Sequence, residues 1–343
     1  MFNKSKFYVL IFCLSINYGA FSQGVNWFKA GNLRTLFDQA KAQNKQVFIE
    51  VYSPECHICQ AFKPTFSQKV VGDFFNKNYI SYQLDVDSEE ARGFLDKQKI
   101  WLPSIPTLLF FDKNVKLQHI AVMAENRNNA QVILEAGKVA QNSQMRTSNY
   151  KNRYLSGDRN PNFLIEHLLM SRYQKDTLAN FEAAKAYFQT QKPNELTNAT
   201  NLLVLEKGVM DMDSDFFNYL INNLPKFYAV KEKGKVNSIA ENILMWSLYS
   251  SKGNKYNSAK IGKIKTYLSR VGIDAKSISG RIWMQESTAF FREKQAQKGI
   301  AVIEARVKGM KVSKEEGNFL CQFVKMKTTD KSALAAANKW CNL

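Results

Sequence analysis

Two cysteines at the junction of a predicted strand and a predicted helix constrain the fold more than any other feature of this chain. Residues 47–52 form a short, mostly apolar run, which is typical of a buried strand. From Cys56 onward, apolar residues recur at helical spacing through Val70. We therefore expect Cys56 at the beginning of a helix, with Cys59 one turn further on.

The rest of the first half alternates in the same way between helix and strand patterns. The further predicted elements are a helix at 33–42, strands at 79–84, 107–111 and 119–123, and a helix at 130–142. Turn residues separate the last two strands, so we expect them to pair as a hairpin. This order predicts an α/β domain over residues 23–145, with a mixed central sheet flanked by helices.

The second half has no convincing strand alternation and predicts an all-α domain over residues 146–343. Its clearest helical patterns lie at 163–173, 178–188, 196–207, 214–224, 236–248 and 280–291. The spacing of helix pairs is compatible with a helical repeat, but no residue signature recurs at a fixed period. A repeat architecture is therefore not predicted.

The N-terminal 22 residues have the three parts of a secretory signal peptide. Two lysines precede an apolar stretch over 7–16 that is too short to span a bilayer, and Ala20 and Ser22 are the small residues expected before a cleavage site. We expect an exported protein, periplasmic or extracellular, with no membrane span after cleavage. The alternatives are a retained membrane anchor and a lipid anchor on Cys13, the second disfavoured by bulky Phe12.

Cleavage would leave four cysteines in an environment where disulfides persist. Cys321 and Cys341 fall on two predicted helices joined around residues 328–331, a hairpin that could bring them together. We expect them to form a structural disulfide, which would stabilise the fold by roughly 3 kcal/mol in the chain-entropy model.

Cys56 and Cys59 are placed for disulfide chemistry. Unpaired N–H groups at a helix N-terminus favour an anion, so the position of Cys56 favours the thiolate, the form that attacks disulfides. Cys59 would then attack the resulting mixed disulfide and release the product.

Zinc is the alternative occupant of a pair of cysteines at this spacing. A structural zinc site needs four ligands and a catalytic one usually needs three from the protein. The histidines are His57, His119 and His167, and the remaining cysteines lie more than 250 residues away. We therefore predict no metal and no cofactor.

The residues around the cysteines resemble the thioredoxin family over roughly the first third of the chain. Glu50, Pro64 and Pro106 stand where the family has a buried carboxylate, a proline that kinks the active-site helix and a cis-proline beside the disulfide. The resemblance implies that Glu50 relays a proton to Cys59. The apolar run around Glu50 also favours burial, although a solvent-facing strand-edge carboxylate is the alternative, as an ordinary trans bond is for Pro106.

The same resemblance implies that substrate contacts come from the residues flanking the cysteines and the proline. These are His57, Ile58, Ile105 and Thr107. The C-H-x-C form is similar to an exported thioredoxin-like group related to the C-terminal domain of the electron-transfer protein DsbD. A protonated His57 would favour the Cys56 thiolate and an ionised Glu55 would oppose it, so the direction of electron flow stays open.

The formal net charge of +18 is concentrated in the second half, where 31 basic residues face 18 acidic ones. The basic residues are spread over many predicted helices, which favours solvated helix faces, and export argues against a nucleic-acid partner. We predict a thiol-disulfide oxidoreductase whose partners are protein disulfide substrates and a redox protein. The alternatives are a binding or chaperone-like protein with the thioredoxin domain as scaffold and the helical domain as docking surface, and a dithiol metal carrier.

Overall fold

The computed structural model describes residues 24–342, so the predicted signal peptide at 1–22 lies outside the described residues. Contacts within the described chain divide it into two compact units. The N-terminal unit contains the described residues up to Arg92 together with Ser104–Arg146. The helical unit contains Gly93–Pro103 and the chain from Thr147 onward. The predicted domains, 23–145 and 146–343, treat the chain as two consecutive stretches, whereas the contacts place Gly93–Pro103 with the second.

The N-terminal unit is built around a four-stranded sheet with the order β2-β1-β3-β4. Its elements are α1 (Leu33–Ala42), β1 (Gln46–Tyr52), α2 (His57–Phe66), α3 (Lys69–Asn78), β2 (Tyr79–Asp85), β3 (Thr107–Phe111), β4 (Leu117–Val122) and α5 (Ala130–Gln141), while α4 (Glu89–Lys97) runs from this unit into the other. Strand β1 pairs parallel with β2 and antiparallel with β3, and β3 pairs antiparallel with β4. The mixed sheet and the β3–β4 hairpin are confirmed.

Aromatic side chains fill the core on one face of this sheet. Phe48 of β1 packs against Phe110 of β3 and against Phe75 of α3, with ring centroids 5.2 and 4.5 Å apart. On the other face, Phe37 of α1 meets Phe111 edge to face at 5.8 Å. Because both faces are covered, β1 is buried at every interior position, as its mostly apolar sequence predicts.

The helix predicted to run from Cys56 through Val70 is wrong at its end, because the structure has two helices there. Gln68 has extended backbone angles, and α3 begins at the next residue. Both helices bury apolar residues, so the periodicity continues across the break. Helix α4 was not predicted, because five of its nine residues are charged and leave few apolar positions to show a period.

The helical unit contains no strand among its described residues, which confirms the predicted all-α character. Its helices are α6 (Tyr150–Leu155), α7 (Pro161–Tyr173), α8 (Thr177–Thr190), α9 (Ala199–Lys207), α10 (Asp215–Asn222), α11 (Leu224–Tyr228), α12 (Lys233–Tyr249), α13 (Ser258–Arg270), α14 (Ala275–Arg292), α15 (Ala296–Val307), α16 (Lys314–Lys327) and α17 (Lys331–Cys341). Across residues 24–342, none of the helices has the length and apolar character needed to cross a membrane.

Trp101 joins the segment Gly93–Pro103 to the helical unit. Its indole meets that of Trp246 edge to face at 4.8 Å, and its backbone N–H donates to the carbonyl of Tyr173 over 2.7 Å. The guanidinium carbon of buried Arg172 lies 4.9 Å from the Trp101 ring centroid and 5.1 Å from that of Trp246. Cation–π attraction and apolar burial therefore both hold this segment in the unit.

The predicted disulfide between Cys321 and Cys341 is present, and it joins α16 to α17 across 20 positions of sequence. The connection between the two helices falls where the sequence predicted it, at residues 328–330. Leu320, Phe323 and Trp340 pack around the bridge in a separate apolar cluster.

Replacing Cys321 and Cys341 together by alanine should lower the free energy of unfolding of the helical unit by roughly 3 kcal/mol, because the unfolded chain loses its cross-link. Thermal and urea unfolding of the variant and the wild type measure the loss. The matched control is the double variant Cys56→Ala, Cys59→Ala, which also removes two sulfurs but none from this unit. Unfolding curves that coincide for wild type and the Cys321/Cys341 variant would contradict the prediction.

Candidate active site

The sulfur of Cys56 caps the N-terminus of α2. Cys56 has extended backbone angles, and its Sγ accepts a hydrogen bond from the backbone N–H of Cys59 at 3.2 Å. The carbonyl of Cys56 accepts from the N–H of Gln60, which begins the helical ladder. A sulfur in this position faces the positive end of the helix dipole. Cys56 therefore lies at the beginning of a helix, as the sequence predicts.

Cys59 lies in a different environment from Cys56. Both thiols are free, but Cys59 is buried whereas Cys56 is half-buried. Burial raises the pKa of the Cys59 thiol to about 12, and its hydrogen bond with Cys56 acts in the same direction. One cysteine of the pair is thus open to a partner and the other is shielded.

Glu50 is a buried carboxyl group on the central strand, with 2% of its surface exposed. It pairs in register with Gln83 on β2, and the Gln83 Nε2 donates to Glu50 Oε2 over 2.9 Å. Burial raises the pKa of Glu50 to about 7, while the Gln83 hydrogen bond and the charge of Lys63 oppose that rise. The solvent-facing alternative for Glu50 is therefore wrong.

The peptide bond between Ile105 and Pro106 is cis, so the trans alternative is wrong. The Cys56 Sγ lies 3.9 Å from the carbonyl oxygen of Ile105, which places the segment beside the half-buried cysteine. Thr107 begins β3 and is fully buried, and its hydroxyl donates to the carbonyl of Ser104 over 2.8 Å. Of the predicted substrate contacts here, Ile105 keeps an accessible side chain and Thr107 does not.

The two residues between the cysteines also differ in exposure. His57 is exposed and begins α2, whereas Ile58 is half-buried and packs against the aromatic core. Only the imidazole is therefore fully available to a bound chain.

Ser53 is a further residue of this site and was not predicted from the sequence. Its carbonyl accepts from the N–H of Cys56 over 3.1 Å. Its buried hydroxyl accepts from the N–H of Glu55 and donates to the carboxylate of Asp87, each over 3.3 Å. The dipeptide Ser53-Pro54 is a turn signal, and this signal could have marked the residue.

No group of three or more His, Cys, Asp or Glu side chains within residues 24–342 is placed to hold a metal ion. The disulfide-bonded Cys321 and Cys341 belong to the helical unit and are not free to act as ligands. In the described part of the chain, the free cysteines are Cys56 and Cys59.

Residues 29–113 match the family model described as Thioredoxin-like. The N-terminal unit contains a thioredoxin-like domain. The matched residues include both cysteines, Glu50 and Pro106, and the four-stranded sheet flanked by helices is the architecture that the sequence predicted.

Three known proteins are similar to parts of this chain. Spermatogenesis-associated protein 20 of Rattus norvegicus is 32% identical over 74 residues, which cover 21% of this chain and 9% of that protein, so the chain spans less than a tenth of its relative. A solution structure described as a disulphide isomerase of Bacteroides thetaiotaomicron is 21% identical and covers 36% of this chain and 97% of its own, with a TM-score of 0.31. A disulphide isomerase of Xylella fastidiosa is 15% identical and covers 34% and 96%, with a TM-score of 0.26.

The buried proton of Glu50 should make stability fall as the pH rises. The folded protein holds this proton up to about pH 7, whereas the unfolded chain releases it near the ordinary value of 4.5. The free energy of unfolding of the N-terminal unit should therefore decrease between these two pH values, by up to about 3 kcal/mol from this group. Urea unfolding at a series of pH values measures the slope, and Glu50→Gln should flatten it.

Two variants of Gln83 should shift the pKa of Glu50 in opposite directions and so test whether this group controls the pH dependence of stability. Gln83→Lys adds a cation beside Glu50 and should lower the pKa of that carboxyl group, so the decrease in stability shifts to lower pH. Gln83→Met has a similar length but donates no hydrogen bond, so the pKa of Glu50 should rise. A pH profile that is identical in the wild type and all three variants would show that Glu50 does not control it.

Proposed function

We propose that this protein is a thiol-disulfide oxidoreductase that exchanges disulfides with protein substrates through Cys56 and Cys59. The observation that supports the proposal best is the position of the Cys56 sulfur, which caps α2 and is half-exposed while its partner is buried. A cysteine that is accessible at a helix N-terminus is placed to attack a substrate disulfide, whereas its buried partner is not.

In the reductive direction, the Cys56 thiolate attacks one sulfur of a substrate disulfide. A bond forms between that sulfur and Cys56 Sγ, the substrate S–S bond breaks, and the other substrate sulfur leaves as a thiolate. Cys59 then loses its proton and attacks Cys56 Sγ, which forms the Cys56–Cys59 disulfide and releases the second substrate sulfur. The substrate gains two electrons and the protein loses two, and the reverse sequence oxidises a substrate dithiol.

Glu50 has the properties of the base that accepts the Cys59 proton. Burial raises the pKa of the Cys59 thiol, so the thiol needs a nearby acceptor before it can attack. The carboxyl group of Glu50 is buried too, and its pKa of about 7 lies near neutral pH, where it can both accept and release a proton. Because Cys59 is shielded, this base would act only after the mixed disulfide has formed.

The substrate chain would lie along the Ile105–Pro106 segment, beside Cys56, and would also contact the exposed His57. This role is supported by the 3.9 Å approach of Cys56 Sγ to the Ile105 carbonyl and by the exposure of the imidazole. The proposal includes export to a periplasmic or extracellular site, a second redox protein that exchanges electrons with the dithiol, and membership of the C-H-x-C group related to DsbD.

Equilibration of the purified protein with glutathione buffers should convert the Cys56–Cys59 pair between dithiol and disulfide. Thiol alkylation followed by mass spectrometry identifies the modified cysteines, so Cys321 and Cys341 do not obscure the result. A midpoint near −270 mV would assign a reductase and one near −120 mV an oxidase. The control Cys56→Ala should show no conversion at Cys59.

A second variant tests the division of labour between the cysteines. Cys59→Ala should accumulate mixed disulfides with substrate proteins, because the resolving sulfur is absent, and Cys56→Ala should not. If Cys56 and Cys59 fail to interconvert in every glutathione buffer, the enzyme proposal is lost and the scaffold alternative replaces it.

A further inference from the structure

Helix α2 contains a weak point one turn after Cys59. Pro64 has no backbone N–H, so it cannot donate to the carbonyl of Gln60, and the helix lacks one bond of its ladder there. The part of the helix that contains both cysteines lies on the N-terminal side of this residue. Some other contact must fix its direction if the sulfur atoms are to keep their positions.

Asn128 makes two hydrogen bonds to α2 at this point. Its Nδ2 donates to the carbonyl oxygen of Ala61 over 2.5 Å, and its Oδ1 accepts from the hydroxyl of Thr65 over 2.6 Å. Thr65 is buried, and both bonds span more than 60 positions of sequence. The carbonyl of Ala61 can only accept, so the orientation of the Asn128 amide follows from its partners.

The residue that makes this bridge is itself held in place. The Asn128 backbone N–H donates to the carbonyl of Glu125, in the short turn that follows β4. The next residue, Asn129, caps α5 and accepts from the N–H of Val132 over 3.0 Å. The bridge therefore connects α2 to a turn anchored by both the sheet and α5.

We propose that Asn128 is a positioning residue for the redox dithiol, because its two bonds hold α2 beside Pro64 and so fix the helix N-terminus that bears Cys56 and Cys59. The inference rests on the proposed dithiol exchange and deepens it. Asn128 touches neither sulfur and acts through the helix. The N–H of Cys59 donates to the reduced Cys56 sulfur, so a loosened helix would stabilise the dithiol less.

Loss of the bridge should shift the glutathione equilibrium toward the Cys56–Cys59 disulfide by up to about fivefold, the effect of losing the hydrogen bond that the Cys59 N–H donates to the reduced sulfur. Asn128→Asp keeps the shape of the side chain, but its carboxylate cannot donate to Ala61. Thr65→Val removes the hydrogen bond from the Thr65 hydroxyl to Asn128 at nearly constant volume. Thr65→Ser keeps the hydroxyl and should have the wild-type equilibrium. Asn114→Ala, in the exposed β3–β4 turn, is the matched control and should leave it unchanged.

A second readout separates this inference from the proposed function. The rate of Cys56 alkylation by iodoacetamide at pH 7 should fall in Asn128→Asp and Thr65→Val, whether or not the wild type exchanges with glutathione. Wild-type rates and equilibria in both variants would overturn the positioning role while the oxidoreductase proposal stands. If the wild type does not exchange with glutathione, that proposal fails and the alkylation rates alone decide the role of Asn128. If Asn128→Asp does not fold, the Thr65 pair gives the answer.

Discussion

The pairing of strand β1 with neighbours on both sides is the constraint on which the rest of the site depends. The register with β2 puts Glu50 opposite Gln83, and the register with β3 puts it opposite Leu108. A shift of one residue would turn the carboxyl group to the other face of the sheet. The end of the same strand leads into the turn at Ser53, whose carbonyl accepts a hydrogen bond from the backbone N–H of Cys56. One buried strand thus sets the positions of the acid, the turn and the first cysteine.

This arrangement gives two sulfur atoms only three residues apart opposite electrostatic environments. The Cys56 sulfur lies at the N-terminus of α2, where it accepts a backbone hydrogen bond, whereas burial disfavours negative charge on Cys59 and on Glu50. The two buried groups therefore hold their protons in the resting state at moderately acidic pH. A site of this kind gives up some stability near neutral pH, and in the proposed exchange it would let the half-exposed sulfur react before the shielded one.

Most of the fold follows from sequence patterns of short range, whereas the roles of Glu50 and Pro106 were implied by the resemblance to the thioredoxin family. The bounds predicted for α1 and β3 agree with the structure, because apolar periodicity and turn residues define them locally. Asn128 and Asp87 were not predictable in the same way, since each reaches its partner across more than 30 positions of sequence. The place of Gly93–Pro103 in the helical unit was also missed, because it depends on the distant residues Arg172 and Trp246.

The Trp101 contacts have a consequence for how the chain is made. During synthesis, the segment Gly93–Pro103 emerges well before its partners, and Trp246 follows Trp101 by 145 residues. The β3–β4 hairpin lies between Trp101 and Trp246 in the sequence. The sheet can therefore form before the residues that pack against the Trp101 indole have been synthesised. Such a long interval favours a folding order in which the N-terminal unit forms first and leaves an apolar segment for the helices to capture. The two units would in this sense fold one after the other. A truncation at the predicted domain boundary would leave the N-terminal fragment with Trp101 but without the residues that Trp101 packs against.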